Sequence, residues 1–418
     1  MKVVLLNTSE RTGGAAIAAN RLMKALIDNG IKAKTLVLNK QTNDENVISV
    51  QSSFFKKQLT LLYFLWERLV IFIQNRFNRE NLFKVSIANT GFDISNHPLV
   101  KDADIIHIHW INQGFLSLKS IKKLIRSGKP IVWTMHDLWA CTGICHHAWE
   151  CVKYTEQCGN CIFLNSTKKN DLSHRILQKK KFLTGSNIHL VAVSNWLKDL
   201  AEKSIITKSL KISVIPNVID TSVFFPLNKK SARNKFSFPE EKKIILMGAA
   251  KLNDPIKGFN YLRQALTLLK NERKDILLVL FGKIKTCDTF LSNLDAEYVF
   301  MDLIEDVSTI VQLYSAADVT VVPSNYETFG QTLIESMACG CPVVSFDNSG
   351  QTDIIDHKIN GYLAKYQDTQ DFANGISWIL NHTETLNLPE ACIKKVQNLY
   401  TKDKVANQYI RLYKYLLE

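Results

Sequence analysis

Residues 320–344 read TVVPSNYETFGQTLIESMACGCPVV, and this stretch decides the fold. An apolar run ends at Pro323, and a polar loop follows. The next residues, up to Ala338, have the apolar spacing of a helix, and Gly340 with Pro342 marks the helix end. A second apolar run begins at once. The order strand, loop, helix, strand predicts a parallel α/β sheet.

Two carboxylates stand near the start of this predicted helix. Glu327 lies in the loop, and Glu335 lies about one and a half turns into the helix. In parallel sheets, ligands bind at the carboxyl ends of strands, where helix N-termini attract phosphate. Carboxylates accept hydrogen bonds from sugar hydroxyls. The stretch predicts a site for a phosphate-linked, hydroxyl-rich ligand; the alternative is that both acids only complement the helix dipole.

The bulk properties indicate a two-domain protein with an acidic partner. A chain of 418 residues exceeds one ordinary core, so two domains of about 200 residues are expected. The formal net charge of +13 favours nucleic acid, anionic lipid or a phosphorylated substrate as partner. The first apolar run is too short for a signal peptide, and no uncharged run reaches the roughly 18 residues that span a bilayer. A cytoplasmic location is therefore expected.

The chain opens with a β-α-β pattern. Lys2 to Leu6 predicts a strand, Gly13-Gly14 a turn, and Ala15 to Leu26 a helix. Glycine in such a turn lets a ligand approach the backbone. The pattern is not G-x-G-x-x-G, so a simple tight turn remains the alternative to a ligand site.

Residues 54–83 are apolar and aromatic with basic flanks. The run from Leu59 to Ile73 is broken by Glu67-Arg68 and is too short and too charged to span a membrane. It predicts either a helix lying in a membrane interface or a core helix pair with a basic outer face. Further basic runs favour an anionic membrane surface: Lys119, Lys122, Lys123, Arg126 and Lys129, then Lys168, Lys169, Arg175, Lys179, Lys180 and Lys181. The sequence has no recognisable nucleic-acid-binding module.

Two histidine motifs accompany predicted strands. His107 and His109 share one face of a strand over residues 104–110, where orientation or packing is expected rather than a two-histidine metal site. His136 follows the strand from Pro130 to Met135, at the end where ligands bind. His136 is therefore a candidate ligand contact.

Five of the nine cysteines lie between residues 141 and 161. Their spacing includes one C-x-x-C pair, which is typical of zinc sites. Cys141 or His146 would be a substitute ligand, and the alternative is a loop of reduced thiols. A thiol–disulfide enzyme is less well supported, because a thioredoxin-like setting is missing. The predicted structural zinc site has four thiolate ligands: Cys145, Cys151, Cys158 and Cys161.

The second half of the chain repeats the α/β pattern. Residues 222–240 are charged and bounded by proline, which predicts a domain linker. A strand from Lys243 to Met247 follows, then Lys257-Gly258 and a helix from Phe259 to Leu269. Lys257 is placed to bind a phosphate ahead of that helix.

Several segments together resemble a known family. The pattern P-S-x-x-E-x-F-G-x-x-x-x-E-x-M-A-x-G-x-P-V-V over residues 323–344 resembles the retaining family-4 glycosyltransferases of the GT-B fold. The I-P-N-V-I-D segment at 215–220, the K-G at 257–258, and residues 313–324 resemble further motifs of that family. Residues 133–161 look like a subgroup that builds bacterial cell-surface polysaccharides.

The resemblance implies an α/β fold with two Rossmann-like parallel-sheet domains that face each other across a cleft. An N-terminal acceptor-binding domain would span 1–220 and carry the cysteine-rich loop. A C-terminal nucleotide-sugar-binding domain would span 221–395. A final helix at 396–418 would pack back on the N-terminal domain.

The resemblance also implies roles for single residues. Glu335 would bind the nucleotide ribose, and Glu327 would hold hydroxyls of the donor sugar. Lys257 would neutralise the diphosphate, and His136 would sit by the donor sugar. The implied catalytic residues are His136, Glu327 and Lys257. The implied nucleotide- and donor-binding residues are Gly13, Gly14, Lys251, Lys257, Gly282, Leu303, Phe329, Gly330, Gln331, Thr332, Leu333 and Glu335.

Some positions depart from the family pattern. Ala249 and Ala250 stand where the family commonly has an arginine, and Lys251 is the nearest substitute. Asp302 stands where a glycine is common near the donor base, so this position does not indicate which base is bound. The resemblance implies a nucleotide-sugar donor that is UDP- or GDP-linked. No catalytic metal is expected, because Lys257 and a helix N-terminus would supply the positive potential.

The predicted function is that of a retaining transferase of cell-envelope glycan synthesis. It would move a hexose-type sugar to a lipid-linked or polysaccharide acceptor, peripherally on the inner face of the cytoplasmic membrane. Nucleic acid is not an expected partner. The alternatives are another cleft enzyme of this architecture, a phosphorylase or an epimerase, and a non-enzymatic basic protein that binds lipid or nucleic acid.

Overall fold

The computed structural model describes residues 1–51, 53–284, 290–292 and 294–418. They form two compact units. The first unit contains Met1–Pro216 and Val405–Glu418, and the second contains Asn217–Lys404. Among the described residues, no helix is both long enough and apolar enough to cross a membrane.

The first unit is built on a seven-stranded parallel sheet with the spatial order β3-β2-β1-β4-β5-β6-β7. Its strands are β1 Lys2–Ser9, β2 Lys32–Asn39, β3 Val47–Ser49, β4 Ile105–Ile108, β5 Ile131–Met135, β6 Ile188–Ala192 and β7 Lys211–Val214. Its α-helices are Gly14–Asp28, Phe54–Gln74, Pro98–Asp102, Leu118–Arg126, Leu172–Lys180 and Asn195–Lys203, joined by the end of Lys402–Leu417.

The second unit is built on a six-stranded parallel sheet with the spatial order β10-β9-β8-β11-β12-β13. Its strands are β8 Lys243–Lys251, β9 Ile276–Lys283, β10 Glu297–Phe300, β11 Val319–Val322, β12 Val343–Phe346 and β13 Gly361–Ala364. Its α-helices are Lys229–Lys235, Phe259–Leu269, Val307–Ala316, Gln331–Ala338, Thr369–His382 and Leu388–Leu399.

The two sheets share one winding pattern. In the first sheet the chain runs from β1 through β2 to β3 on one side and then crosses to β4 on the other side of β1. In the second sheet it runs from β8 through β9 to β10 and then crosses to β11 on the other side of β8. This is the doubly wound Rossmann order. The central strands read as short apolar runs because helices cover both faces of the sheet; every residue of β4, β5, β11 and β12 is buried. The predicted α/β class with two Rossmann-like parallel sheets is confirmed.

The predicted linker at 222–240 lies within the second unit and is partly helical. Residues Lys229–Lys235 form a helix, and Arg233 from this helix pairs with Asp318 at 2.6 Å. Asp318 also accepts a hydrogen bond from Ile244 N at 2.6 Å, which ties the helix to β8. The charges of this stretch therefore make ion pairs within the second unit.

The unit boundaries differ from the predicted 1–220, 221–395 and 396–418. The packing changes at Pro216 and again between Lys404 and Val405. The predicted final helix is interrupted at Tyr400 and Thr401, because Ile219 N donates to Tyr400 O at 2.9 Å and Ile219 pairs with Thr401. This pairing takes the backbone out of the helical hydrogen-bond ladder.

Candidate functional site

The second unit brings two of the predicted catalytic residues to one place in the sheet. β8 and β11 are neighbours, and the chain winds away from them in opposite directions. Lys257 lies after β8, and Glu327 lies after β11. Doubly wound sheets bind ligands in the crevice outside the carboxyl ends of such a strand pair. The topology alone therefore marks these two loops as a ligand site.

Lys257 and Glu327 form an ion pair. Lys257 Nζ donates to Glu327 Oε2 at 2.9 Å. The lysine side chain is 32% exposed and the glutamate side chain 19%, so both remain accessible to a ligand. Burial lowers the pKa of Lys257, but the charge and hydrogen bond of Glu327 outweigh it, and the pKa lies above its usual value. The site thus offers a cation and a carboxylate acceptor side by side at neutral pH.

The turn that carries Lys257 is locked against the end of β11. Gly258 has a φ of 68°, and a Cβ at this position would lie 1.8 Å from Pro323 O. Asn325 N donates to Ile256 O at 2.8 Å from the same loop. Only glycine fits between these two backbones, and the close approach holds Lys257 beside Glu327.

A turn that the sequence analysis missed holds Glu327 from its other side. Glu327 N donates to Ser349 Oγ at 3.1 Å, and Gly350 N donates to Glu327 O at 2.7 Å. A Cβ at Gly350 would lie 2.3 Å from Thr328 O. The signal for this turn is the Ser349-Gly350 dipeptide shortly after β12, at the same edge of the sheet.

The helix Gln331–Ala338 begins beside the ion pair. Gly330 precedes it with a φ of 111°, and the first turn of an α-helix leaves N–H groups without intrahelical partners. Leu333 is fully buried, and the buried Phe329 ring packs edge-on against Tyr400 with centroids 5.8 Å apart. These two predicted contacts would therefore meet a ligand through their backbone.

Glu335 lies further along the same helix and is partly exposed. The hydroxyl of Tyr314 lies 3.4 Å from Glu335 Oε2 and donates to it. Tyr314 comes from the helix Val307–Ala316 and belongs to the Y-x-x-A-D run that ends at Asp318. The motif alone gives Tyr314 no role, but the structure makes it a neighbour of Glu335.

Three further predicted donor contacts lie at the ends of β8 and β9 and after β10. Lys251 ends β8 and is exposed. Gly282 has a φ of 135°, and a Cβ there would lie 1.9 Å from Ala249 O, so close strand packing already requires glycine. Leu303 is partly exposed in the loop after β10. Their roles in donor binding stay predictions.

In the first unit, His136 follows β5 and belongs to a histidine cluster. His109 Nδ1 and His136 Nε2 lie 2.9 Å apart, and their rings stack. His107 and His109 are in ring contact at 4.2 Å, as their shared strand face predicted. Both nitrogens of His107 have hydroxyl partners at 2.7 Å, Tyr413 and Thr134, so His107 packs as predicted rather than binding metal.

The histidine cluster is neutral at pH 7. Burial lowers the pKa of His107 to about 3 and that of His136 to about 4. Burial, with the nearby charges of His107 and His136, lowers the pKa of His109 well below its usual value. His136 is therefore a neutral hydrogen-bonding group, and its orientation is set by His109.

The loop after His136 is fixed by a buried chain of polar groups. Asp137 Oδ2 accepts from Trp110 Nε1 at 2.8 Å and pairs with His146 Nδ1 at 2.7 Å. His146 Nε2 lies 2.9 Å from Ser86 Oγ. Since both His146 nitrogens are engaged, His146 is not the substitute zinc ligand that the sequence allowed.

Gly13 and Gly14 lie exposed at the start of the helix Gly14–Asp28. Gly13 has a φ of 93°, and a Cβ there would meet no atom within 4 Å. The glycine is thus required by backbone conformation rather than by packing within this unit. Its predicted contact with the diphosphate or acceptor is not tested by this geometry.

The helix Phe54–Gln74 buries charged side chains and exposes many of its apolar ones, the reverse of a usual surface helix. Glu67 is 0% exposed and Arg68 7%, and they pair at 2.9 Å. Glu67 Oε1 accepts from Ile87 N and Ala88 N at 2.7 and 2.8 Å. The large apolar side chains instead face outward: Phe54, Phe55, Leu61, Leu62, Leu65, Trp66, Leu69 and Ile73. The buried face contains Glu67, Arg68 and Ile71, and the exposed face is apolar, which differs from the predicted alternative of a core helix with a basic outer face.

Two family models cover most of the chain. One described as Glycosyltransferase Family 4 matches residues 12–223, and one described as Glycosyl transferases group 1 matches residues 228–399. An uncharacterized glycosyltransferase of Methanocaldococcus jannaschii is 25% identical over 367 residues, which cover 81% of this chain and 91% of that protein.

Solved structures have the same fold over the full length. Sucrose-phosphate synthase from Thermosynechococcus elongatus aligns with a TM-score of 0.70 at 20% identity, over 100% of this chain and 99% of that one. The Anabaena protein HepE in complex with UDP-glucose aligns with a TM-score of 0.65 at 14% identity, over 99% of this chain and 100% of that one. At these identities the likeness concerns the fold alone.

Proposed function

This chain belongs to the family-4 glycosyltransferases of the GT-B fold, and we propose that it is a retaining hexosyltransferase of cell-envelope glycan synthesis. The donor is a UDP- or GDP-linked hexose, and the acceptor is a lipid-linked or polysaccharide chain. The enzyme works peripherally on the inner face of the cytoplasmic membrane. Each part of this proposal is supported by a different region of the structure.

One observation carries the proposal: the Lys257–Glu327 pair beside the N-terminus of the helix Gln331–Ala338. Breaking a sugar–diphosphate bond leaves negative charge on the diphosphate. A lysine and a helix N-terminus held in place before the reaction stabilise that charge without reorganisation. HepE, which shares the fold, is solved with UDP-glucose, and this supports a nucleotide-sugar donor here.

The two carboxylates bind different parts of the donor, Glu327 the sugar and Glu335 the ribose. Glu327 accepts hydrogen bonds from hydroxyls of the transferred sugar while Lys257 keeps it oriented. Glu335 accepts from the ribose hydroxyls, with Tyr314 OH holding its carboxylate from one side. The backbone N–H groups at Phe329 and Gly330 complete the contacts around the phosphate.

The transfer proceeds on one face of the donor sugar. The bond between the anomeric carbon and the diphosphate oxygen breaks, and the acceptor hydroxyl adds from the same side. The hydroxyl proton passes to the departing phosphate oxygen. The neutral His136 bonds a donor-sugar hydroxyl, which holds the ring without adding a charge near the developing cation.

The helix Phe54–Gln74 supports a membrane-bound acceptor. Its exposed face includes Leu62 at 61% and Trp66 at 55% exposure, and no charged residue lies between the two in sequence. Basic side chains flank it: Lys56, Lys57, Arg76, Arg79 and Lys84, all exposed. An apolar face ringed by cations suits the headgroup region of an anionic bilayer, where a polyprenyl-linked acceptor would be anchored.

A donor panel tests the activity directly. The chain is incubated with UDP- and GDP-hexoses and membrane-lipid acceptors, products are identified by mass spectrometry, and the new anomeric centre is read by NMR. We expect transfer from one donor with retention, and thermal stabilisation by the matching nucleoside diphosphate. Product that requires inorganic phosphate would indicate a phosphorylase, and donor conversion without acceptor an epimerase. No stabilisation by any nucleoside diphosphate would favour a binding protein.

A further inference from the structure

The loop between Cys145 and Cys161 contains a feature that sugar transfer does not explain. All four cysteines of the predicted zinc set, Cys145, Cys151, Cys158 and Cys161, line one small cavity of about 20 Å³. Cys141 does not line it; its Sγ lies 3.6 Å from Met135 Sδ. The loop has little regular structure, namely the short 3₁₀ turns Lys153–Thr155 and Ile162–Leu164.

The backbone around this cavity directs N–H groups at sulfur. The N–H groups of Phe163 and Leu164 interact with Cys161 Sγ, and that of Gly143 interacts with Cys158 Sγ. A Cβ at Gly143 would lie 3.2 Å from Cys158 Sγ and 2.4 Å from Ser173 O, so only glycine allows this approach. Burial raises the pKa of both thiols to about 11, and these backbone N–H groups partly oppose that effect.

A buried lysine lies beside the same thiols. Lys180 is fully buried and donates to Trp139 O at 2.6 Å and Thr142 O at 3.0 Å. Burial lowers the pKa of Lys180 to about 7, and the nearby thiols of Cys145, Cys158 and Cys141 and the carboxyl of Asp137 partly oppose this shift. A buried ammonium is costly unless negative charge lies close to it. A zinc–tetrathiolate centre carries net negative charge and would supply it.

The loop is also tied to a rigid element. Asp171 accepts from Cys161 N at 2.8 Å and from His174 N at 3.2 Å, which links the C-x-x-C turn to the start of the helix Leu172–Lys180. A Cβ at Gly159 would lie 2.2 Å from Lys169 O. The C-x-x-C turn therefore packs closely against the backbone just before the helix Leu172–Lys180. Two of the thiols are thus held on a fixed backbone.

We propose that Cys145, Cys151, Cys158 and Cys161 bind one structural zinc ion, with Lys180 as its buried counter-cation. Four thiolates in tetrahedral arrangement are the ligand set of structural zinc. No three His, Cys, Asp or Glu side chains of the described residues are already arranged to hold a metal. Coordination at about 2.3 Å therefore requires the thiols to turn inward about their Cα–Cβ bonds. The ion would pin the loop that follows His136, and it takes no part in sugar transfer.

Metal analysis of the full chain tests the site. The protein is prepared without a polyhistidine tag or chelator, and its metals are measured by mass spectrometry. We expect about one zinc per chain. The double variant Cys158→Ser/Cys161→Ser should retain less than about a tenth of that amount. The matched control is Cys392→Ser, whose Sγ lies 3.0 Å from Asn360 O, so a hydroxyl can replace it; it should keep its zinc.

Two measurements on the unmodified chain cover the case in which the double variant does not fold. Replacing zinc by Co²⁺ should give thiolate-to-cobalt charge-transfer bands, and thiol reagents should release zinc in step with thiol modification. Lys180→Met should lower zinc affinity by about tenfold in chelator competition, while Lys180→Arg should largely restore it. A zinc-free folded chain overturns the proposal, whether its thiols are all reduced or Cys158 and Cys161 form a disulfide. Iron in place of zinc overturns it as well.

Discussion

The two units wind their sheets in the same order but treat charge in opposite ways. In the second unit, Lys257 and Glu327 stand at the ends of β8 and β11 as an accessible ion pair. In the first unit, the strand ends carry His109 and His136, which are kept neutral by burial. The strand ends of the second sheet thus carry charged side chains, and those of the first sheet carry uncharged hydrogen-bonding groups.

The contrast extends to the helices. The helix Gln331–Ala338 buries Leu333 and leaves Glu335 accessible, as a helix of a soluble unit usually does. The helix Phe54–Gln74 buries Glu67 and Arg68 and exposes its leucines. The second unit therefore exposes charged side chains at its strand ends, whereas the first exposes an apolar helix face. The proposed function assigns the charged side chains to the nucleotide sugar and the apolar face to the membrane.

The largest effect is expected for Lys257→Ala. Removing a preorganised cation from the position of the departing diphosphate should lower kcat by about 10²- to 10³-fold. The melting temperature should change little, because the pair is accessible and such pairs contribute about 0–1 kcal/mol to stability. Steady-state kinetics and calorimetry measure both. The matched control is Lys270→Ala, which breaks the exposed pair with Asp295 and should leave kcat unchanged. Equal loss in both variants would refute a specific role for Lys257.

A smaller effect is expected for Glu335→Gln. The amide keeps the size of the side chain but loses the charge-assisted hydrogen bonds to the ribose, which are worth about 1.5–3 kcal/mol. The Kd for the nucleoside diphosphate should rise by about 10- to 100-fold, and titration calorimetry measures it. Tyr314→Phe removes the neighbouring hydroxyl and should weaken binding in the same direction but less. Unchanged binding in Glu335→Gln would remove Glu335 from the donor site.

The sequence predicted the second unit better than the first, for a physical reason. Around β11 the strand, the loop glycines and the helix carry local signals, so Glu327, Gly330 and Glu335 could be placed in sequence order alone. Ser349 and Gly350 were missed because they come from a different strand end and meet Glu327 only through the sheet. Contacts across strand ends have no local pattern to reveal them.

The first unit shows a second limit. The apolar periodicity of residues 54–74 is compatible both with a core helix and with a helix that lies in a membrane interface. Periodicity shows that a helix has two different faces, but it does not show which face is buried. The face that is buried depends on Glu67, which accepts hydrogen bonds from Ile87 N and Ala88 N further along the chain, so residues 54–74 alone could not reveal it. The helix within 222–240 was likewise not predicted, since Arg233 pairs with Asp318 only in the folded unit.

The apolar face of the first unit is tested by Leu62→Gln/Leu65→Gln/Trp66→Gln. These side chains are exposed, so stability should change by about 0.5 kcal/mol or less per substitution. Binding to vesicles that contain anionic phospholipid should fall at least about tenfold, because apolar area no longer enters the interface. Co-sedimentation measures it. Leu268→Gln, an exposed leucine of the second unit, is the control and should bind normally. Normal binding by the triple variant would refute the membrane assignment.

The last prediction concerns acid, and it separates the units by stability rather than by ligand. An unfolded histidine has a pKa near 6.5, whereas the pKa of His107 is about 3 and that of His136 about 4 in the folded chain. Between these values the unfolded state binds more protons, so stability is full above about pH 6.5 and falls as the pH drops toward 4. Each such histidine contributes a slope of up to about 1.4 kcal/mol per pH unit.

Urea denaturation at pH 6.5 and 5 should show this loss of stability. The variant His109→Gln, which removes one of the buried groups, should show a smaller loss. At pH 5 the backbone amides of β4 and β5 should exchange their hydrogens faster than those of β8 and β11. If the two sheets open together, the neutral histidines do not set the acid stability of the first unit.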